Sequence, residues 1–201
     1  MNWNLDNILV WSDVHFGHRN VMKFCPATRP WAADPLNPTD DETKVMDKAL
    51  IEAWNKRTKG KTIFMLGDFS FSRDSEYNAW IFSQLLGDKH LILGNHDHSD
   101  TRKLPWSSIS NYKELKVEGN QFILFHYPIS SWNNCRHGSF HLHGHVHGEH
   151  VPGKQTLRML DVAVDNGFAE PISLRECIDQ IGSRSNHPIK WELEPTAVVP
   201  A

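Results

Sequence analysis

A chain of 201 residues with 39% hydrophobic content can bury one substantial core, and nothing in it calls for a second, so a single domain over residues 1–201 is expected. The formal net charge of -3 excludes the bulk basic field that holds duplex nucleic acid nonspecifically. Residues 1–20 lack a basic flank ahead of a long apolar run, and no segment approaches roughly 18 uninterrupted apolar residues, so neither secretion nor a membrane span is signalled and the cytoplasm is the default location. Cys25, Cys135 and Cys177 are an odd number without Cys-x-x-Cys spacing and are expected as reduced thiols.

In chain order, the apolar run at residues 7–12 predicts a buried strand that delivers Asp13 and His15 from its tip. Two residues apart in an extended segment, those side chains share a side and can reach one ion. Residues 25–39 hold four prolines and no periodicity, which predicts a long ordered loop or flap shaping a cleft entrance. Residues 40–59 predict a capped amphipathic helix with Val45, Ala49, Leu50, Ala53 and Trp54 on its apolar face, acidic residues in the first turn and basic ones in the last. A strand over 62–66 leads to Gly67-Asp68. A helix over 75–86 stops at Gly87, and a strand over 90–93 leads to Gly94-Asn95-His96-Asp97. Beyond residue 111 the pattern turns to strands. Residues 112–117 and 121–126 predict a hairpin, strands follow over 139–143 and 156–164, then a short helix over 173–181, an edge strand over 189–193 and a frayed tail over 194–201.

Five short stretches end in metal-loving residues: Asp13-Val14-His15, Gly67-Asp68, Gly94-Asn95-His96-Asp97, His126, and Gly144-His145-Val146-His147. Seven of the thirteen histidines lie between His126 and His150, a concentration that metal ligation explains economically. Imidazole with carboxylate oxygen suits divalent Mn, Fe, Co, Ni or Zn rather than calcium. Asp13, His15, Asp68, Asn95, His126, His145 and His147 are too many for one ion that must keep an open position, which implies two ions sharing a carboxylate. Two cations about 3.5 to 4 Å apart stabilise the attacking and leaving oxygens of an in-line displacement, which suits phosphate esters.

With these motifs in their order, residues 8–147 resemble the calcineurin-like metallophosphoesterase superfamily, in particular its small single-domain bacterial and phage members, whose set of Asp-x-His, Gly-Asp, Gly-Asn-His-Asp/Glu, a lone His and Gly-His-x-His is intact here. The resemblance implies a four-layer α/β/β/α sandwich with two mixed sheets face to face. It implies Asp13, His15 and His147 on a first metal, Asn95, His126 and His145 on a second, and Asp68 bridging. It further implies His96 as a nonligand that donates a proton or stabilises charge at the leaving group, Asp97 orienting it, and a metal-bound hydroxide as the attacking group.

Other residues carry softer expectations. His18 and Arg19 follow the first motif closely enough to overhang the crevice as cations for a phosphate, with a plain surface role weighing equally, and Arg136 sits in the 127–139 loop where substrate contacts arise. His141 and His143 continue the alternation toward His145 but are expected as satisfied surface histidines. Asp161 and Asp165 are candidates to back the histidines, with turn or surface roles favoured. Trp54 and Trp80 read as packing residues. The expected activity is hydrolysis of a phosphate ester, with nucleotides among the candidate substrates and a diester favoured over a monoester. The alternatives are a metal-dependent nuclease, for which the composition offers no basic aromatic groove, and a silent binding scaffold, against which the intact Asn95-His96 pair argues. Oligomeric state is not legible.

Overall fold

The computed structural model describes residues 3–149 and 158–184. The first apolar run forms β1 (Ile8–Trp11), buried along its length because it is covered on both faces. It is followed by α1 (Val21–Phe24), α2 (Asp40–Thr58), β2 (Thr62–Met65), α3 (Ser75–Gln84), β3 (Asp88–Ile92), α4 (Ser99–Arg102) and β4 (Ser108–Ser110). The second half contributes β5 (Tyr112–Val117), β6 (Asn120–Phe125), one 3-10 turn (Cys135–His137), β7 (Phe140–His143), β8 (Met159–Asp161), a second 3-10 turn (Val164–Asn166), β9 (Ile172–Ser173) and α5 (Leu174–Arg184).

The strands form two mixed sheets. One has the order β4-β3-β2-β1-β9, parallel except for antiparallel β9; the other has the order β5-β6-β7-β8, an antiparallel β5–β6 hairpin extended by two parallel pairings. Alternation along β1 divides its side chains between two cores. Leu9 and Trp11 meet Met46, Leu50 and Trp54 of α2 and Ile81 of α3. Ile8 and Val10, with Phe64 and Ile92, meet Phe122, Leu124, Leu142 and Leu160 of the second sheet, and Cys177 and Ile181 of α5 close that core. On the far face of the second sheet, Ile123 and Met159 pack under Trp132 and the segment that carries the first 3-10 turn. The result is the expected α/β/β/α sandwich, with a thin outermost layer on the second sheet. No described helix is long and apolar enough to cross a membrane.

The helix expected over 40–59 is α2, opened by a capping box in which the Thr39 hydroxyl accepts from Glu42 N–H at 3.2 Å and the Glu42 carboxylate accepts from Thr39 N–H at 2.7 Å. Its buried stripe differs from the expected one: Thr43, Met46, Asp47, Leu50, Ile51, Trp54 and Thr58 face inward, and Val45 is 57% exposed. The contacts with β1 and α3 select the Met46 side of the helix, which a simple apolar count misjudges. Trp80, expected to pack, is half exposed beside Tyr77. Replacing Thr39 with alanine is expected to destabilise the protein by about 1 kcal/mol in urea unfolding without changing ligand binding; no shift of the midpoint would contradict the cap.

α1, α4 and β4 went unforeseen because a single helical turn or three residues of Ser-Ile-Ser carry no readable periodicity. The third strand begins two residues earlier than expected, and the strand expected over 156–164 is only Met159–Asp161 among the described residues, since Val164 has already entered a 3-10 turn. The edge strand expected over 189–193 and the tail over 194–201 lie outside the described residues.

Candidate functional site

The motif residues converge where the strands of both sheets end, the crevice position typical of open α/β sheets. The route there is not the extended one expected. β1 stops at Trp11, and Asp13 and His15 adopt left-handed backbone angles (φ 55° and 54°), as do Asp68 (58°), His145 (73°) and His147 (50°). Non-glycine residues rarely hold this conformation, which costs on the order of 1 kcal/mol or more each and clusters at functional sites. Asp13 N–H bonds Gly67 O at 3.1 Å and His15 N–H bonds Asp68 O at 3.0 Å, so the first two loops brace each other. Glycine is required where the backbones close in. A Cβ on Gly94 would strike Asp68 Oδ1, and one on Gly144 would strike Asp13 Oδ2 and Ser12 Oγ.

Hydrogen bonds set the imidazole tautomers. His126 donates from Nδ1 to Leu66 O at 2.8 Å, and His147 donates from Nδ1 to Asp165 Oδ2 at 2.7 Å, so each turns its Nε2 inward. His147 Nε2 lies 3.3 Å from His15 Nε2 and 3.7 Å from Asp13 Oδ1. Asp68 Oδ2 lies between two imidazoles, 3.8 Å from His15 Nε2 and 3.6 Å from His126 Nε2, and His126 Nε2 is 3.0 Å from Asn95 Oδ1. Three sets of ligand atoms among the described residues each fall within 4.8 Å of one another: Asp13, His15 and His147; Asp13, Asp68 and His126; and Cys25, His147 and Asp165, the last gathered around the outer face of the His147 ring. Asp13 Oδ1 is fully buried with no hydrogen-bond partner. An orphaned carboxylate oxygen among inward-turned imidazole nitrogens fits a divalent cation in both donor type and charge. The exposed His145 ring stands 5.1 Å from that of His126, and its N–H bonds Asp13 Oδ2 at 2.9 Å.

Titration follows these contacts. Burial pushes Asp13 up to about 6 and holds His15 well below the usual histidine range. Burial also opposes the charge on His147, but the bond to Asp165, the Cys25 thiol and the nearby Asp13 carry it up to about 10. Asp165 resists burial through its bonds to His147 and Arg29 and stays below the usual carboxylate range.

Arg29 escaped the sequence reading. The 25–39 loop, expected as a flap, sends this arginine into the interior, where it is 1% exposed. Its Nε and Nη2 bond the two oxygens of Asp165 at 2.8 and 3.0 Å, while Nη2 and Nη1 bond the carbonyls of Asp13 and Val14 at 2.6 and 2.9 Å. One side chain thus fixes both the left-handed Asp13 loop and the partner of His147. Nothing local marks it, since a Thr-Arg-Pro stretch resembles any loop. Asp165, for which a surface or turn role was favoured, is buried as the link between Arg29 and His147. Asp161 is also buried and accepts Gly148 and Ala163 N–H groups at 2.8 and 2.9 Å, which steadies the turn after His147.

Other expectations change in detail. Asp97 accepts N–H bonds from Gly94, Asp68 and Phe69 at 2.8, 3.0 and 3.0 Å, so its carboxylate is committed to backbone and ties two site loops together rather than orienting the His96 ring. That ring lies 5.7 Å from His15 and 5.1 Å from Phe71. His18 does reach the cleft, but burial pulls it down to about 4, so at neutral pH it is not the cation expected. Arg19 points outward to Asp40 at 3.3 Å, and the exposed Arg136 rides on the 3-10 turn over the outer face of the second sheet, away from the cleft lining. His141 and His143, expected at the surface, are buried because β7 is a central strand covered on both faces.

Two mixed sheets that gather imidazoles and carboxylates at their strand ends define a metal-dependent hydrolase class. The chain belongs to the calcineurin-like phosphoesterase family, whose model matches residues 7–190, and it is a metal-dependent phosphoesterase. It is 28% identical over 177 residues to an uncharacterized protein of Methanocaldococcus jannaschii, covering 85% of this chain and 89% of that one. It is 25% identical over 194 residues to the Gene 66 protein of Mycobacterium phage L5, covering 80% and 87%. Among solved structures it is similar to AQ665 of Aquifex aeolicus, a protein of unknown function, with a TM-score of 0.65 at 25% identity, covering 87% of this chain and 98% of that one.

Proposed function

We propose that this protein hydrolyses a phosphodiester in preference to a monoester on two divalent cations, with Mn, Fe or Zn favoured and Ni or Co also suited to the donors. The observation that carries this reading is the pair of ligand sets that share Asp13, with Asp68 Oδ2 set between His15 and His126 and an orphaned Asp13 oxygen among inward-turned imidazole nitrogens. Asp13, His15 and His147 would hold one cation and Asn95, His126 and His145 the other, with the Asp68 carboxylate available to both. When bound, the cations lower the pKa of a water and neutralise phosphoryl oxygens. His96 then gives a proton to the leaving oxygen, while Asp97 acts only by fixing the loop that carries it. Diester preference follows from charge. The described residues lining the cleft include Glu149 and no lysine or arginine, which suits a monoanionic diester better than a dianionic monoester.

Metal-stripped protein resupplied separately with Mn, Zn, Ni, Mg or Fe is expected to cleave bis(para-nitrophenyl) phosphate faster than para-nitrophenyl phosphate. Monoester preference would overturn the diester reading, and silence on both esters with two metals bound would overturn hydrolysis of simple esters altogether.

A linked prediction concerns pH. Asp13 takes up its proton more readily in the fold than its ordinary value of 3.8 allows, so the stability it contributes is full below about pH 4 and is lost as pH rises through about 6. The displacement corresponds to roughly 3 kcal/mol. Buried Asp47, also raised to about 6, acts in the same direction. His18, His141 and His143, lowered to about 4 by burial, act in the opposite direction over the same interval, so the Asp13 share is read as the stabilisation that saturating Mn adds, which should grow between about pH 4 and 6.5 in urea titrations. Parallel pH curves with and without Mn would contradict it.

A further inference from the structure

Beside the candidate ligands lies a cleft of about 670 Å³, within the range of sites for small organic molecules. His15, His96, His145 and His147 line its floor. One wall is aromatic. Phe71 and Phe24 are 39% and 68% exposed, outside both sheet cores. His18 lies flat on Phe71, with centroids 3.9 Å apart and planes 11° from parallel, and Phe24 stands edge-on to His18 at 6.3 Å. The wall adjoins the chemistry, since Phe71 is 5.1 Å from the His96 ring and 6.4 Å from that of His15. His18 Nδ1 is buried there without a hydrogen-bond partner.

Exposed phenylalanines that converge on a polar floor are costly unless a ligand covers them. The described lining offers no lysine or arginine, so recognition on this side is by flat faces rather than by charge. We propose that the organic group of the substrate is a flat heteroaromatic ring that stacks on the Phe71–His18 wall while its phosphoryl group occupies the imidazole floor, which makes the substrate a nucleotide-class ester. The proposal rests on the phosphoesterase reading above and adds the residues that choose the substrate. Every nucleobase has a face to stack, so the wall sorts nucleotides from sugar or alkyl phosphates without selecting one base.

The test is calorimetric titration of the full chain, loaded with Mn, by adenosine 5′-monophosphate, ribose 5-phosphate and inorganic phosphate. The wild-type protein should bind the adenosine ester about tenfold or more tighter than ribose 5-phosphate, the range that one stacked base supplies. Phe71→Ala should erase that gap and leave inorganic phosphate unchanged, and Phe71→Trp should restore it. If Phe71→Ala also loses phosphate binding, Phe24→Ala, at a ring 68% exposed, provides the same comparison without disturbing a packed core. Equal binding of the two organic phosphates by the wild type, or a gap that survives both alanine variants, overturns the stacking wall. Absence of binding by all three ligands overturns the stacking wall if the Mn-loaded protein still cleaves bis(para-nitrophenyl) phosphate, and overturns instead the phosphoesterase site on which it rests if it does not.

Discussion

Exchanging Asp68 for asparagine is expected to remove metal loading and turnover together, each by at least about a hundredfold, since even outer partners of metal ligands are worth 10- to 100-fold. Asp68 Oδ2 lies 3.8 Å from His15 Nε2 and 3.6 Å from His126 Nε2, so its negative charge is directed at both imidazoles. An amide keeps the volume and can still accept the His96 N–H, now bonded at 2.8 Å, but it brings donors and no charge to the cation positions. The informative contrast is His96→Ala, expected to keep both metals and lose about 10²- to 10⁴-fold in turnover, the usual contribution of a general acid or base. Metal content by mass spectrometry beside steady-state rates separates the two. An Asp68→Asn protein with full metal content and turnover would remove the bridging carboxylate from the mechanism.

The second large effect belongs to Arg29. Replacing it with methionine leaves the Asp165 carboxylate buried without its guanidinium and frees the carbonyls of Asp13 and Val14, a loss expected to cost about 3 to 5 kcal/mol in urea unfolding. Metal affinity should fall with it, because His147 loses a fixed partner and Asp13 loses the clamp on its left-handed loop. In the Arg29→Met, Asp165→Asn double variant the buried carboxylate deprived of its guanidinium is gone, and part of the stability should return. If the single variant unfolds at the wild-type urea concentration, Arg29 is not the clamp its bonds describe.

These two residues mark what the sequence could and could not reveal. Asp68 is legible because a Gly-Asp step after an apolar run, in order with four other ligand-bearing stretches, is hard to produce by chance. The strand-and-helix alternation of the first half and the hairpin of the second are legible for a related reason, namely that apolar runs of strand length bounded by glycine and charge have few other folds. Arg29 is not legible, since its role depends on a carboxylate 136 positions away and on carbonyls exposed by an unusual backbone. That backbone was itself hidden. The apolar run before Asp13-x-His15 points to an extended pair sharing a side, whereas left-handed backbone at both residues brings those side chains together. Burial was misjudged where tertiary contacts override local pattern: Val45 is turned outward, while His141 and His143 are enclosed by a central strand's two faces. The aromatic wall was missed because Phe24 and Phe71 lie 47 positions apart, in segments with no regular period.

The most direct measurement is anomalous X-ray scattering from crystals of Mn-loaded protein, collected across the manganese edge. Two peaks about 3.5 to 4 Å apart are expected, one beside Asp13, His15 and His147, the other beside Asn95, His126 and His145, with Asp68 between them. A single peak, or two peaks with Asp68 outside both coordination spheres, would contradict a dinuclear centre at the meeting of the two sheets.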